Sequence, residues 1–249
     1  MKKIITASLA IAAGFVFSAS AQVESRPFQL SLWNPVQICN EARPINGLRL
    51  NLIYGKNASL NGLDLGLVNQ ITGDTIGAQV GLANVNSGNV TGMQLSLVNW
   101  VSGNVNASQG AILNYIDGDL NGGQIGLVNW INGGASGGQV GYLLNYVSAD
   151  SSAAQFGLVN WVAGSAYREQ IGLLNMAKMS VTGVQVGGLN LSSEANGLQL
   201  GVFNATHRSS GFQLGLVNVT QELYGLQIGL INVAYNAKVP VLPIVNAAW

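Results

Sequence analysis

Gly62-Leu-Asp-Leu-Gly-Leu-Val-Asn69 is followed by Gly77-Ala-Gln-Val-Gly-Leu-Ala-Asn84 and Gly92-Met-Gln-Leu-Ser-Leu-Val-Asn99. The same phrase returns in Gln124-Ile-Gly-Leu-Val-Asn129, Gln155-Phe-Gly-Leu-Val-Asn160 and Gln213-Leu-Gly-Leu-Val-Asn218. The shared pattern is Gly-φ-Gln-φ-Gly-Leu-φ-Asn, with φ apolar. Its closing residue forms a series: Asn69, Asn84, Asn99, Asn114, Asn129, Asn145, Asn160, Asn175, Asn190, Asn204, Asn218, Asn232 and Asn246. The steps are 14 to 16 residues, a tandem array of single supersecondary units. Two degenerate copies precede it, Gln29-Leu-Ser-Leu-Trp-Asn34 and Arg49-Leu-Asn-Leu-Ile-Tyr54.

The apolar period within each copy is two, and glycine is frequent, so the units are β rather than helical. Thr72-Gly-Asp74, Ser102-Gly-Asn104, Asp117-Gly-Asp119 and Asn132-Gly-Gly134 supply turn chemistry between them. The five prolines (27, 35, 44, 240 and 243) all lie outside the array. A residue that cannot donate to a sheet ladder is excluded from hydrogen-bonded strands. This divides the chain into 1–21, 22–46 as an N-terminal cap with a degenerate repeat, 47–235 as the array, and 236–249 as a C-terminal cap with the last degenerate repeat.

The first segment has the form of a signal peptide. Lys2 and Lys3 precede an apolar stretch from Ile4 to Phe17, and Ala19-Ser20-Ala21 is a small-x-small cleavage pattern. Export is therefore expected. The single cysteine, Cys39, allows no internal disulfide. Of the 249 residues, 48% are hydrophobic and only 8% charged, with ten basic and ten acidic side chains. That composition argues against disorder, and no basic face exists for nucleic acid.

Tandem Gly-Leu-Gln-Leu-Gly-Leu-Val-Asn units behind a signal peptide resemble the bacterial surface-repeat proteins first described in leptospires. The resemblance spans about residues 28–246. It implies a surface or envelope location and no enzyme activity. A weaker similarity links the Gln-x-Gly-x-x-Asn element to curli subunits, whose period is longer.

Two all-β architectures accommodate the repeat. In a parallel β-solenoid of about 13 coils of 14–15 residues, Asn stacks on Asn and Gln on Gln in amide ladders. At ~4.8 Å per coil the rod is roughly 60 Å long. In an antiparallel outer-membrane β-barrel, each repeat is one strand; the terminal Trp249 and the alternating aromatics favour it. Against the barrel, the apolar run covers only ~17 Å along a strand, whereas a lipid band needs roughly 25 Å.

In the solenoid, Val or Ile two residues after the Asn and Val or Leu six after it point inward with the leucines. The glutamines (79, 94, 109, 124, 139, 155, 170, 185, 199, 213 and 227) have the opposite parity to the leucines, which predicts an exposed Gln ladder. The Asn ladder is expected to be structural. Trp100, Tyr115, Trp130, Tyr146 and Trp161 would stack along one edge as a binding strip for sugar or protein.

Nothing suggests catalysis. His207 is the single histidine, and no nucleophile–base arrangement can be assembled around it. Carboxylates such as Asp117 and Asp119 are too few for a convincing Ca2+ site, so no metal or cofactor is expected. The expectation is an exported, non-catalytic surface repeat protein, a structural or adhesin-like scaffold at the cell surface or outer membrane. Its partners would be envelope or surface components (glycan or protein) rather than nucleic acid, with self-association open to it. The alternative is a barrel acting as a pore or membrane scaffold; an enzyme ranks third.

Overall fold

A computed structural model describes residues 24–248. The expected signal peptide at 1–21 and Trp249 lie outside the described residues. Among the described residues all of the regular structure is β, and they wind as a parallel solenoid of about 14 turns. Each strand pairs with its counterpart one repeat later: Leu120–Ile131 lies parallel to Ala135–Val147, which lies parallel to Ser151–Val162. The register joins identical residues, Asn129 to Asn145 to Asn160 and Gln124 to Gln139 to Gln155. Parallel pairing at one-repeat separation excludes the up-and-down barrel, whose neighbouring strands are antiparallel.

Each coil folds into two short faces joined at a bend just before the Asn. The bend carries the register shifts, as between Gly126 and Val128 and between Gly141 and Leu144. It reverses the inward parity. Gln sits five residues before the Asn and Gly three before it, on the same side of the strand. Past the bend, the Asn itself and the residue two later also turn inward.

The result inverts the sequence-based expectation of which side chains are inside. The glutamines are buried, while Leu67, Leu97, Leu127 and Leu158 are exposed. The branched residues after the Asn are inside as expected: Ile71, Val101, Ile116, Ile131, Val147 and Val162 are completely buried. Opposite them lie Val90, Val105 and Leu120. Each such side chain contributes roughly 1.5–3 kcal/mol by leaving water. The core is therefore a narrow apolar stack beside two columns of amides.

Both ends are covered. The strand Arg26–Trp33 forms the first coil, parallel to Ile45–Asn57. The loop after it folds over the open end, where the Cys39 backbone N–H donates to Gln29 Oε1 and its carbonyl accepts from Gln29 Nε2. The Cys39 thiol is buried and free. At the other end Val241–Ala247 runs antiparallel to Leu226–Ala234, with Pro240 and Pro243 in this closing segment. That reversal moves Asn246 beside Gln227, not onto Asn232, so the Asn ladder ends one member earlier than the sequence suggests.

Two adjacent glycines show how tightly the coils are stacked. Gly137 has φ +112°, and a Cβ there would lie 2.0 Å from the carbonyl oxygen of Gly122. Gly138 is free of both constraints, with nothing within 4 Å of its added Cβ. Gly137→Ala is expected to destabilise by about 2 kcal/mol or more, from strain and coil separation. Gly138→Ala should leave stability unchanged or raise it by about 0.4–1 kcal/mol. Thermal melts of the two variants check the contrast.

Candidate functional site

Two features stand out as more than repeated coil: the aromatic strip on the outer surface and the polar columns within.

The strip follows from the register. Trp100, Tyr115, Trp130, Tyr146 and Trp161 occupy one position in successive coils, immediately after the buried Asn. Being one residue past an inward side chain, they point outward. Trp100 and Tyr115 stack with ring centroids 4.0 Å apart, and Trp130 and Tyr146 at 4.1 Å. Tyr146 meets Trp161 edge-on at 6.2 Å. The Lys178 ammonium lies 5.5 Å from the Trp161 ring centre, closing the strip with a cation–π contact.

A polar margin runs beside the rings. Tyr115 donates its hydroxyl proton to Asp117 (2.6 Å) and accepts from Asn132 Nδ2 (2.8 Å). Trp130 Nε1 donates to Asn132 Oδ1 (2.8 Å), and Asn132 also donates to Asp117. The hydrogen bond to the Asp117 carboxylate, before all else, holds the Tyr115 phenol proton and raises its pKa above the usual value. Trp161 Nε1 has no partner. Stacking leaves the rings half-buried, with Trp100 the most open. The structure thus brings together all five residues singled out from the sequence. The polar margin of Asp117 and Asn132 was hidden there among ordinary turn residues.

The inner columns are continuous hydrogen-bonded chains. Each Asn donates Nδ2 to Oδ1 of the Asn one coil later, from Asn69 to Asn84 and onward to Asn232, at 2.7–3.0 Å. The same Nδ2 reaches a backbone carbonyl at the bend, as Asn129 does to Val140 (3.0 Å). The glutamines run the other way. Each Nε2 donates to Oε1 of the preceding coil, from Gln227 back to Gln79, at 2.6–3.1 Å. The two chains of amide dipoles therefore oppose each other. Buried amides with partners above and below pay little desolvation penalty, which is why they lie inside while the leucines lie outside.

The Gln column ends on charge. Gln79 donates to Asp64, which occupies the Gln place, and Arg49 occupies it one coil earlier. Arg49 and Asp64 are completely buried and form an ion pair at 2.6 Å. Arg49 also donates to Asn57 Oδ1 and the Gln70 carbonyl, and Asp64 accepts from Asn51. Burial pushes the Asp64 carboxyl up and the Arg49 guanidinium down, and the attraction between them opposes both shifts. This pair went unremarked in the sequence. Its signal was present: Arg49 and Asp64 stand in the column that glutamine otherwise holds.

His207 is exposed on the strand Leu198–Ser209, beside Arg208, whose guanidinium lies 4.9 Å from the Tyr224 ring centre. Among the described residues no three His, Cys, Asp or Glu side chains gather where they could hold a metal ion. No helix among them is long and apolar enough to cross a membrane. No family model, curated protein or solved structure matches the chain.

Proposed function

We propose that this chain is an exported, non-catalytic surface scaffold of the cell envelope, adhesin-like in action, whose aromatic strip docks glycan or protein. The in-register row of five rings carries this reading. A sugar face or an apolar side chain packs on such rings, and the margin of Asp117, Asn132 and the Tyr115 hydroxyl supplies directional hydrogen bonds. The rod carries the rings on coils stacked at ~4.8 Å, already stacked or edge-on against one another, so little ordering cost falls on binding. The tandem repeat text and the signal-like first 21 residues support the surface location.

The test uses the purified chain and envelope fractions of the producing cell. Trp130→Ala with Trp161→Ala should weaken retention by roughly 100-fold, each ring contributing on the order of 1–2 kcal/mol. Circular dichroism should remain β-rich, because both rings lie outside the amide columns. Undiminished retention by the double variant refutes the strip as the docking element.

A further inference from the structure

On the face opposite the aromatic strip, the solenoid presents side chains that a monomer in water gains nothing by exposing. Before each bend, alternate residues point outward and stack into rows. One row includes Leu65, Leu95, Ile125, Val140, Phe156 and Leu214, aligned by the parallel register. A second row, two residues earlier, carries Leu63 and Met93 and thins to Ser108, Gly123 and Gly138 in the middle coils, and a third occupies the bend itself, with Leu67, Leu97 and Leu127. Leu95 and Ile125 are 52% and 57% exposed. Glu169 is the one charged side chain in the three rows among the described residues.

We propose that this face is a self-association surface, covered in solution by the same face of a second copy of the chain. The extent fits. Fourteen coils at ~4.8 Å and a width of four to five residues at ~3.3 Å give roughly 900–1,100 Å2 per copy. Two such faces cover about 1,800–2,200 Å2, at the upper end of the standard range for a stable complex. The exposed apolar side chains on this face, among them Leu65, Leu67, Leu95, Leu97, Ile125 and Leu127, form rows of the kind that mark an association surface. Flat sheets stack face to face about 10 Å apart, and a two-fold arrangement closes on itself.

Charge points the same way. Two faces almost free of charge meet without like-charge repulsion. A bilayer surface would call for a basic flank, and the chain has only ten Lys and Arg, balanced by ten acidic residues. End-to-end growth is opposed by the loop over the first coil and the antiparallel, proline-bearing strand beyond the last. The inference does not depend on the aromatic strip, which lies past the bend on the other face.

Sedimentation velocity of the wild-type chain at micromolar concentration is the test, with a Leu95→Glu, Ile125→Glu variant and a Ser102→Glu control on the polar turn edge. The expected result is a species with the mass of two chains for wild type and control. The double variant should run as one chain with an unchanged circular dichroism spectrum. A wild-type monomer overturns the proposal without reference to whether any variant folds. A dimer that survives in a folded double variant also overturns it, as do fibres that lengthen with concentration. A wild-type monomer that floats with phosphatidylcholine vesicles assigns the face to lipid instead.

Discussion

Asp64→Leu is expected to lower the unfolding free energy by about 3–5 kcal/mol. The reason is what remains behind. Arg49, completely buried, would keep its charge and lose the carboxylate 2.6 Å away. Gln79 Nε2 and Asn51 Nδ2 would lose the same acceptor. Leucine offers none of these donors a partner, and an unpaired buried cation costs more than the pair ever contributed.

The double replacement Arg49→Gln, Asp64→Gln should behave quite differently. It extends the Gln column by two members, so that Gln79 donates to an amide oxygen as every later member does. Exchanging a buried ion pair for satisfied neutral groups is often neutral or stabilising by about 1–4 kcal/mol. Urea unfolding of wild type, single and double variants measures both effects. A single variant as stable as wild type would contradict a charged, buried pair at this place.

Asn129→Ala should cost about 3–5 kcal/mol, from the loss of three hydrogen bonds at mid-ladder, the two amide–amide ones fully buried. Asn129 accepts from Asn114, donates to Asn145 and satisfies the Val140 carbonyl at the bend. Alanine leaves the Asn145 oxygen and the Val140 carbonyl without their donor, and opens a polar gap in the column. Exchange of amide hydrogens should quicken first in the coils that contain residues 114 and 145, because each coil touches only its neighbours. Uniform quickening along the whole chain would mean that the ladder is not the local clamp described above. Asn246→Ala, beside Gln227 and outside the Asn column, should cost much less.

Much of this architecture is written in the repeat itself. The 14- to 16-residue period, the turn residues in the spacers and prolines confined to the flanks together indicate β-coils. Identical residues at one period, Asn129 on Asn145 and Gln124 on Gln139, are brought together by any in-register parallel stack. The same spacing aligns Trp100 through Trp161, so the candidate strip is legible in the sequence.

Which side of each coil faced inward was not legible. Alternation identifies two sides of a strand, and ordinary hydrophobicity assigns leucine to the interior and glutamine to water. Here that assignment is reversed, because the cost of burying an amide depends on its partners and not on its identity. A lone Gln139 buried in an apolar core would be penalised. Stacked between Gln124 and Gln155, it is satisfied on both sides. Only the glycine two residues after most of the glutamines (Ser96 and Ala111 are the exceptions) hinted at the inversion, since it shares the Gln side and packs tightly: at Gly172 a Cβ would lie 2.0 Å from the Gly157 carbonyl oxygen. Repetition in the sequence thus determined the period, the register and the alignment of like residues. The tertiary winding decided inside from outside, because the amide partners that make a polar interior tolerable exist only once one coil lies on the next.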